Sequence, residues 1–145
     1  TQGADKWVEV QKWNTSEECL LSLKKQGVQL LATHLDARAV DIATIDFSRP
    51  SAIILGNEKD GISAEVLKHC DQRIILPMGG FVQSYNISVA GALCLYHAYS
   101  DRVRRLGNSG DLNASERLIL EAEYFMRTQS SSLEYLRELS ARREI

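Results

Sequence analysis

Nowhere does this chain of 145 residues carry an apolar run long enough to cross a bilayer, and it shows no basic-then-apolar leader. A soluble, untargeted, cytoplasmic protein without a membrane partner is therefore expected. Cysteine is scarce: Cys19, Cys70 and Cys94 lie far apart on apolar faces, with no Cys-x-x-Cys pair to build a zinc site or a redox motif. They are expected as reduced core residues. The histidines His34, His69 and His97 fall in different elements and form no metal-ligand constellation, so no metal is expected. A Ser-His-Asp order and a phosphate-loop motif are also missing. The net charge of -2 lacks the basic excess of indiscriminate nucleic-acid binders, although a local patch can still serve.

What is present suits one modest core, with 44% apolar and 25% charged residues. Trp7-Val8-Glu9-Val10 reads as a strand. Thr15-Ser16-Glu17-Glu18 is a capping box ahead of Leu20 and Leu23, and Gly27 stops the helix. A strand follows over 28–34. The turn-rich Asp46-Phe47-Ser48-Arg49-Pro50 leads into a strand over 52–55, whose continuous apolar character fits a parallel strand buried on both faces. Ser63 caps a short helix to about Cys70. A third buried strand over 73–76 feeds a long helix from about Ser84 to Leu106, closed by Gly107. Alternating strands and helices make this an α/β fold with a parallel sheet flanked by helices.

Beyond Gly107 the character changes. Asn108-Ser109-Gly110-Asp111 reads as a linker and Asn113 to Glu116 as a second capping box. An amphipathic helix over 117–127 then sets Leu118, Ala122, Phe125 and Met126 on one side. A last helix is expected over 132–142, with Leu133, Leu136 and Leu139 apolar. The division expected is 1–107 as the main domain and 108–145 as a helical extension.

Two strand-turn-helix units carry the most information. Ile53-Ile54-Leu55-Gly56-Asn57-Glu58-Lys59-Asp60-Gly61-Ile62 is the first, and Leu76-Pro77-Met78-Gly79-Gly80-Phe81-Val82-Gln83-Ser84-Tyr85-Asn86-Ile87-Ser88 the second. Each runs an apolar strand into a glycine-containing turn and a helix start, where backbone amides and carbonyls are open to a ligand. Single glycines usually do no more than make turns. Here Gly56, Gly61, Gly79 and Gly80 occur together with Asn57, Glu58, Ser84 and Asn86, which points to a site.

These motifs resemble the second and third signature motifs of the SpoU (SPOUT-class) RNA ribose 2′-O-methyltransferases, and among them the TrmH-type tRNA guanosine enzymes. The likeness runs from Lys6-Trp7-Val8-Glu9-Val10 through Ala32-Thr33-His34-Leu35 to about Arg105. It implies a deep trefoil knot formed by the C-terminal part of the domain, S-adenosyl-L-methionine as methyl donor, tRNA as partner and a homodimer. In an open α/β sheet, ligands sit at the carboxyl ends of the strands. Donor binding is accordingly expected from Thr33, Leu35, Gly56, Asn57, Ile75, Leu76, Met78, Ser84 and Asn86. Leu35, Leu76 and Met78 would face the adenine ring, and Gly56 would let the backbone approach the ligand. Glu58, Ser84 and Asn86 are the expected catalytic group. Tyr85 stands where the family often has leucine. His34 is expected to have no catalytic role.

The resemblance also associates the C-terminal helices with holding tRNA, which makes Arg102, Arg104, Arg105, Arg117, Arg127, Arg137, Arg142 and Arg143 candidates for phosphate contact. They read equally as solvated charges balanced by neighbouring glutamates. The family's first motif, an Asn and an Arg near the start of the domain, has no counterpart. Arg38 and Arg49 are the only arginines before Arg73, and neither has the Asn-x-Gly context. Because that arginine activates the ribose hydroxyl in the family, the expectation is a fragment that carries the donor-binding knot. Its activity alone is left open. The competing reading is a catalytically inactive RNA-binding paralogue of the same fold. A dehydrogenase-like half would need Gly-x-Gly-x-x-Gly, which is absent.

Overall fold

The computed structural model of the protein describes residues 7–57, 59–79, 85–108 and 110–128. These fall into two units, 13–110 and 1–12 together with 111–145.

The first unit begins with helix α1 (Ser16–Lys25). The Glu18 N–H donates to the Thr15 hydroxyl at 3.2 Å, so the expected cap forms, and Gly27 ends the turn at φ 75°. Strand β1 (Gln29–Thr33) follows, then β2 (Val40–Asp41), β3 (Ser51–Ile54), α2 (Ala64–His69), β4 (Gln72–Ile75) and α3 (Ile87–Leu106). The strands are all parallel in the order β2-β4-β1-β3. β1 is central, and its Leu30, Leu31 and Ala32 are fully buried, which is why the chain there is apolar without alternation. Asp71 fixes its entry: the Leu30 N–H donates to the Asp71 carboxylate at 2.7 Å, and the Asp71 N–H returns to the Leu30 carbonyl at 2.9 Å.

Strand β2 was not expected from the sequence. Two residues cannot carry a periodicity, and it pairs only with Ile74 and Ile75 of β4. It stops because the Asp41 carboxylate accepts the Ala43 N–H at 2.9 Å, capping a 3-10 turn at Ile42–Thr44. The strand expected over 73–76 lies one residue earlier, and the long helix begins at Ile87 rather than near Ser84, which lies outside the described residues.

Both faces of the sheet are covered. Leu31 and Ile74 pack with Ile42, Ile45, Phe47 and Cys94 of α3 in one core cluster, with Val40, Ile53, Leu76 and Ala98 against it. Alternation turns Leu30 and Ala32 to the other face, where α1 runs against β1. β4 is thus crossed twice. The connection from β1 to β2 passes it on the side of Arg73, which pairs with Asp36, and the connection from β2 to β3 passes it on the side of Ile74.

In the second unit, α4 (Ala114–Thr128) opens with the expected reciprocal cap. The Ser115 and Glu116 amides both donate to Asn113 Oδ1 at 3.0 Å, and the Asn113 N–H donates to the Glu116 carboxylate at 2.9 Å. The strand expected at 7–10 does not form. A strand needs a neighbour for its backbone groups, whereas Trp7 sets its ring edge-on to Tyr124 at 5.6 Å and leaves Val8 and Val10 exposed. The helix expected over 132–142 lies outside the described residues. Cys19, Cys70 and Cys94 are all free thiols.

Candidate donor site at the carboxyl edge of the sheet

Strands β4, β1 and β3 are neighbours and parallel, so their carboxyl ends emerge side by side. Those ends carry Leu76 and Met78, Thr33 and Leu35, and Gly56 and Asn57, the segments in which the sequence places the site. The edge is tied together at the last strand residues: the Thr33 hydroxyl donates to the Ile54 carbonyl at 3.0 Å, and the His34 N–H donates to the Ile74 carbonyl at 3.2 Å. Leu35, just beyond, is 61% exposed, an apolar side chain left for something else to cover. Ile75 and Met78 are half-buried, and Leu76 leans on the core cluster.

Gly56 is required by its own loop. A Cβ there would stand 2.4 Å from the Gly61 carbonyl carbon and 2.7 Å from the Ile62 nitrogen, closer than any side chain tolerates. The loop 57–61 closes on itself through the Asn57 and Gly61 backbones, with N–H to carbonyl distances of 3.2 and 3.0 Å. Asn57 Oδ1 accepts the Lys59 and Asp60 amides at 2.9 and 2.6 Å. Around Asn57 the first motif is thus tied by its own backbone and side-chain hydrogen bonds. Glu58 and Ser84 lie outside the described residues, as do Gly80 and its neighbours to 83.

Asn86 is the N-cap of α3: its Oδ1 accepts the Ser88 N–H at 2.9 Å. Asn86 is exposed and opens the helix, so its amide has solvent as well as the Ser88 N–H to pair with. Gly91 brings the first half of α3 against the end of β3, since a Cβ on it would lie 3.2 Å from Leu55 Cδ1.

One pair escaped the sequence reading. Arg73 of β4, in a half-buried stretch, pairs with Asp36 on the segment that follows Leu35. Asp36 also accepts the Arg38 N–H at 2.9 Å. Partial burial pushes the Asp36 carboxyl up, but the Arg38 amide and the Arg73 and Arg38 charges outweigh it and hold the group below its ordinary value. A charged residue inside an otherwise apolar strand was the signal, because it demands a partner.

The arginines proposed for phosphate contact divide. Arg102 donates to the Phe47 carbonyl at 2.8 Å, Arg104 and Arg105 pair with Asp101, Arg117 lies 3.4 Å from Glu121, and Arg127 sits over the Tyr124 ring at 5.3 Å. Arg137, Arg142 and Arg143 lie outside the described residues. Among the described residues no group of three or more His, Cys, Asp or Glu side chains is placed to hold a metal, and no helix is long and apolar enough to span a membrane.

Residues 1–96 match the SpoU rRNA Methylase family. The chain belongs to the SpoU family. The tRNA (guanosine(18)-2′-O)-methyltransferase of Escherichia coli K12 is 46% identical to it over 121 residues, which cover 83% of this chain and 51% of that protein. The chain thus spans about half the length of the curated relatives it matches. Among solved SpoU structures, the A. aeolicus TrmH/SpoU tRNA modifying enzyme superposes with TM-score 0.75 at 32% identity, covering 89% of this chain and 66% of that one. The methyltransferase AviRb from Streptomyces viridochromogenes, solved with the cofactor AdoMet, gives TM-score 0.56 at 25% identity over 62% of this chain and 37% of that one.

Proposed function

We propose that the chain is the donor-binding and RNA-recognising part of an S-adenosylmethionine-dependent tRNA ribose 2′-O-methyltransferase acting on a guanosine. The observation that carries this reading is the convergence of 33–35, 55–57 and 76–78 on one sheet edge beside α3, in a chain of this family. The edge fits the donor's adenine end: exposed Leu35 and half-buried Met78 offer apolar faces, and the backbone around 76–78 offers hydrogen-bonding groups that strand pairing does not continue to use. Thr33, Gly56, Asn57 and Ile75 lie along the same edge, Asn86 caps α3, and Ser84 is proposed from the sequence motif alone. The donor supplies an electrophilic methyl on a sulfonium. The protein's part is to orient acceptor and donor and to keep charge in place, for which Glu58, Ser84 and Asn86 are the proposed group.

The knot belongs to the same proposal. The contact of Asp36 with Arg73 on one face of β4 and of Ile42, Ile45 and Phe47 with Ile74 on the other supports a path in which the 34–39 and 42–50 connections surround β4. Residues 1–107 are the methyltransferase part, and 108–145 the extension proposed to reach tRNA. A homodimer through α3 is proposed from its outer seam. Val89, Ala92, Tyr96, Tyr99, Val103 and Leu106 recur at alternating spacings of three and four and are all exposed.

Calorimetry with S-adenosylmethionine tests the donor site on this chain. Transfer of the donor's labelled methyl to a tRNA transcript is then measured with the chain joined to the preceding half of the E. coli relative. Binding, with transfer lost when the target guanosine (position 18 first) is replaced, is expected. No binding at millimolar donor would overturn the reading.

A further inference from the structure

We propose that Asp36 and Arg73 are positioning residues, a latch that holds the two walls of the donor cleft in register; the inference rests on the donor-site reading above. The walls come from different strands. One is the segment after β1, with Leu35 next to Asp36, and the other is the segment 76–78, which leaves β4 three residues after Arg73. Between them the backbone contributes the single His34–Ile74 hydrogen bond. The crossover then leaves β1 entirely, passes over β4 and rejoins the sheet at Val40, opposite Ile74. Over that span the Asp36–Arg73 pair is the side-chain tie to β4 among the described residues.

The pair is built to hold. Arg73 has an 18% exposed side chain and Asp36 26%, so neither ion is free to find bulk water as a surface pair does. The Asp36 carboxylate is itself braced, because one oxygen takes the Arg38 amide and leaves the other for Arg73. A guanidinium on a sheet strand is a fixed post. Losing it frees Leu35 to move relative to 76–78 without unfolding the sheet, which the Ile74 cluster on one face and buried Leu30 and Ala32 on the other hold together.

Calorimetric titration of the full 145-residue chain with S-adenosylmethionine tests this, using Asp36→Asn, Arg73→Met, the double variant and the charge swap Asp36→Arg with Arg73→Asp. Each single change is expected to weaken donor binding on the order of tenfold, the double to be no worse than either single, and the swap to recover part of the loss. Hydrogen exchange at the His34 amide, which donates to the Ile74 carbonyl, should quicken in the singles while the Ala32 amide stays protected. Wild-type affinity in folded single variants, or losses that multiply in the double, overturns the latch. Failure of the unaltered chain to bind donor overturns the donor reading instead. In that case, quickened exchange at His34 still supports the latch and unchanged exchange still refutes it. If Arg73→Met does not fold, Arg73→Lys, which keeps the charge but loses the fork, is read by the same two measurements.

Discussion

Asp101 is the buried charge on which the fold of the first unit leans, and replacing it tests the energetic reasoning. It is 8% exposed, and its carboxylate accepts the Phe47 N–H at 3.0 Å and Arg105 Nε at 2.7 Å while also pairing with Arg104. Asp101→Ala strands the amide of Phe47, itself 2% exposed, which costs about 1–3 kcal/mol. The two arginines count for less. Their side chains are 68% and 38% exposed and can return to water, so each loses about 0–1 kcal/mol. The sum is about 1–5 kcal/mol for alanine, centred on about 3, and about 1–2 for asparagine, which keeps an acceptor for Phe47. In urea, with a slope of about 1–3 kcal/mol/M, Asp101→Ala should lower the midpoint by about 1–2 M. Acid gives a second reading. Burial raises the Asp101 carboxyl, but the Phe47 amide and the two arginines outweigh it and hold the group below the ordinary 3.8. A depressed carboxyl contributes its full stability above about 3.8 and loses it as pH falls through the lower folded value. Asp101→Asn should therefore flatten that part of the acid limb. A midpoint for Asp101→Ala within about 0.3 M of the parent, at unchanged slope, would refute the reasoning.

Gly56→Ala should cost about 3 kcal/mol or more, because both clashing groups are backbone and cannot swing away; a melting temperature unchanged within error contradicts this. Asn86→Ala should weaken S-adenosylmethionine binding by about 1–3 kcal/mol, while Glu58→Ala should cut methyl transfer more than donor affinity. Since Asn86 also caps α3, Asn86→Ser keeps a capping oxygen and separates the two roles; equal affinity losses for Glu58→Ala and Asn86→Ala sink the division. Tyr96→Glu, on the exposed seam of α3, should turn a dimer into a monomer in sedimentation at micromolar concentration, and an unchanged mass argues against that seam.

The legible parts of the sequence are those in which local chemistry decides. Thr15, Ser63 and Asn113 each cap the helix expected of them, and Gly107 closes α3 at φ 74°. Strand β1 is legible for the same reason, since it meets core on both sides, whereas the strands expected as buried over 52–55 and 73–76 are half-buried, β3 because it is the edge of the sheet. Illegible were features fixed by distant partners. The two residues of β2 are a strand only because β4 lies beside them, and Trp7-Val8-Glu9-Val10 has strand composition but no strand to pair with. The close approach of Gly61 to Gly56 is likewise a contact that no sequence spacing could reveal.

Two charge contacts divide the work around β4. On one face Asp36 grips Arg73 and fixes the segment that has just left β1. On the other, Asp101 takes the Phe47 amide and Arg102 takes the Phe47 carbonyl, fixing the segment about to enter β3. Apolar packing alone would leave the first crossover loose, because its Leu35 is exposed and contributes nothing to the core. The second has Ile42, Ile45 and Phe47 buried and is held by packing as well. Breaking the Asp101 contacts should therefore register chiefly as lost stability, and breaking the Asp36 contact chiefly as lost order at the carboxyl edge. Global stability comes from buried apolar area, whereas a ligand cleft depends on the placement of a few exposed groups. On the threaded path proposed above, both segments belong to the loop that surrounds β4, so the strand that delivers 76–78 to the site is clasped from both sides.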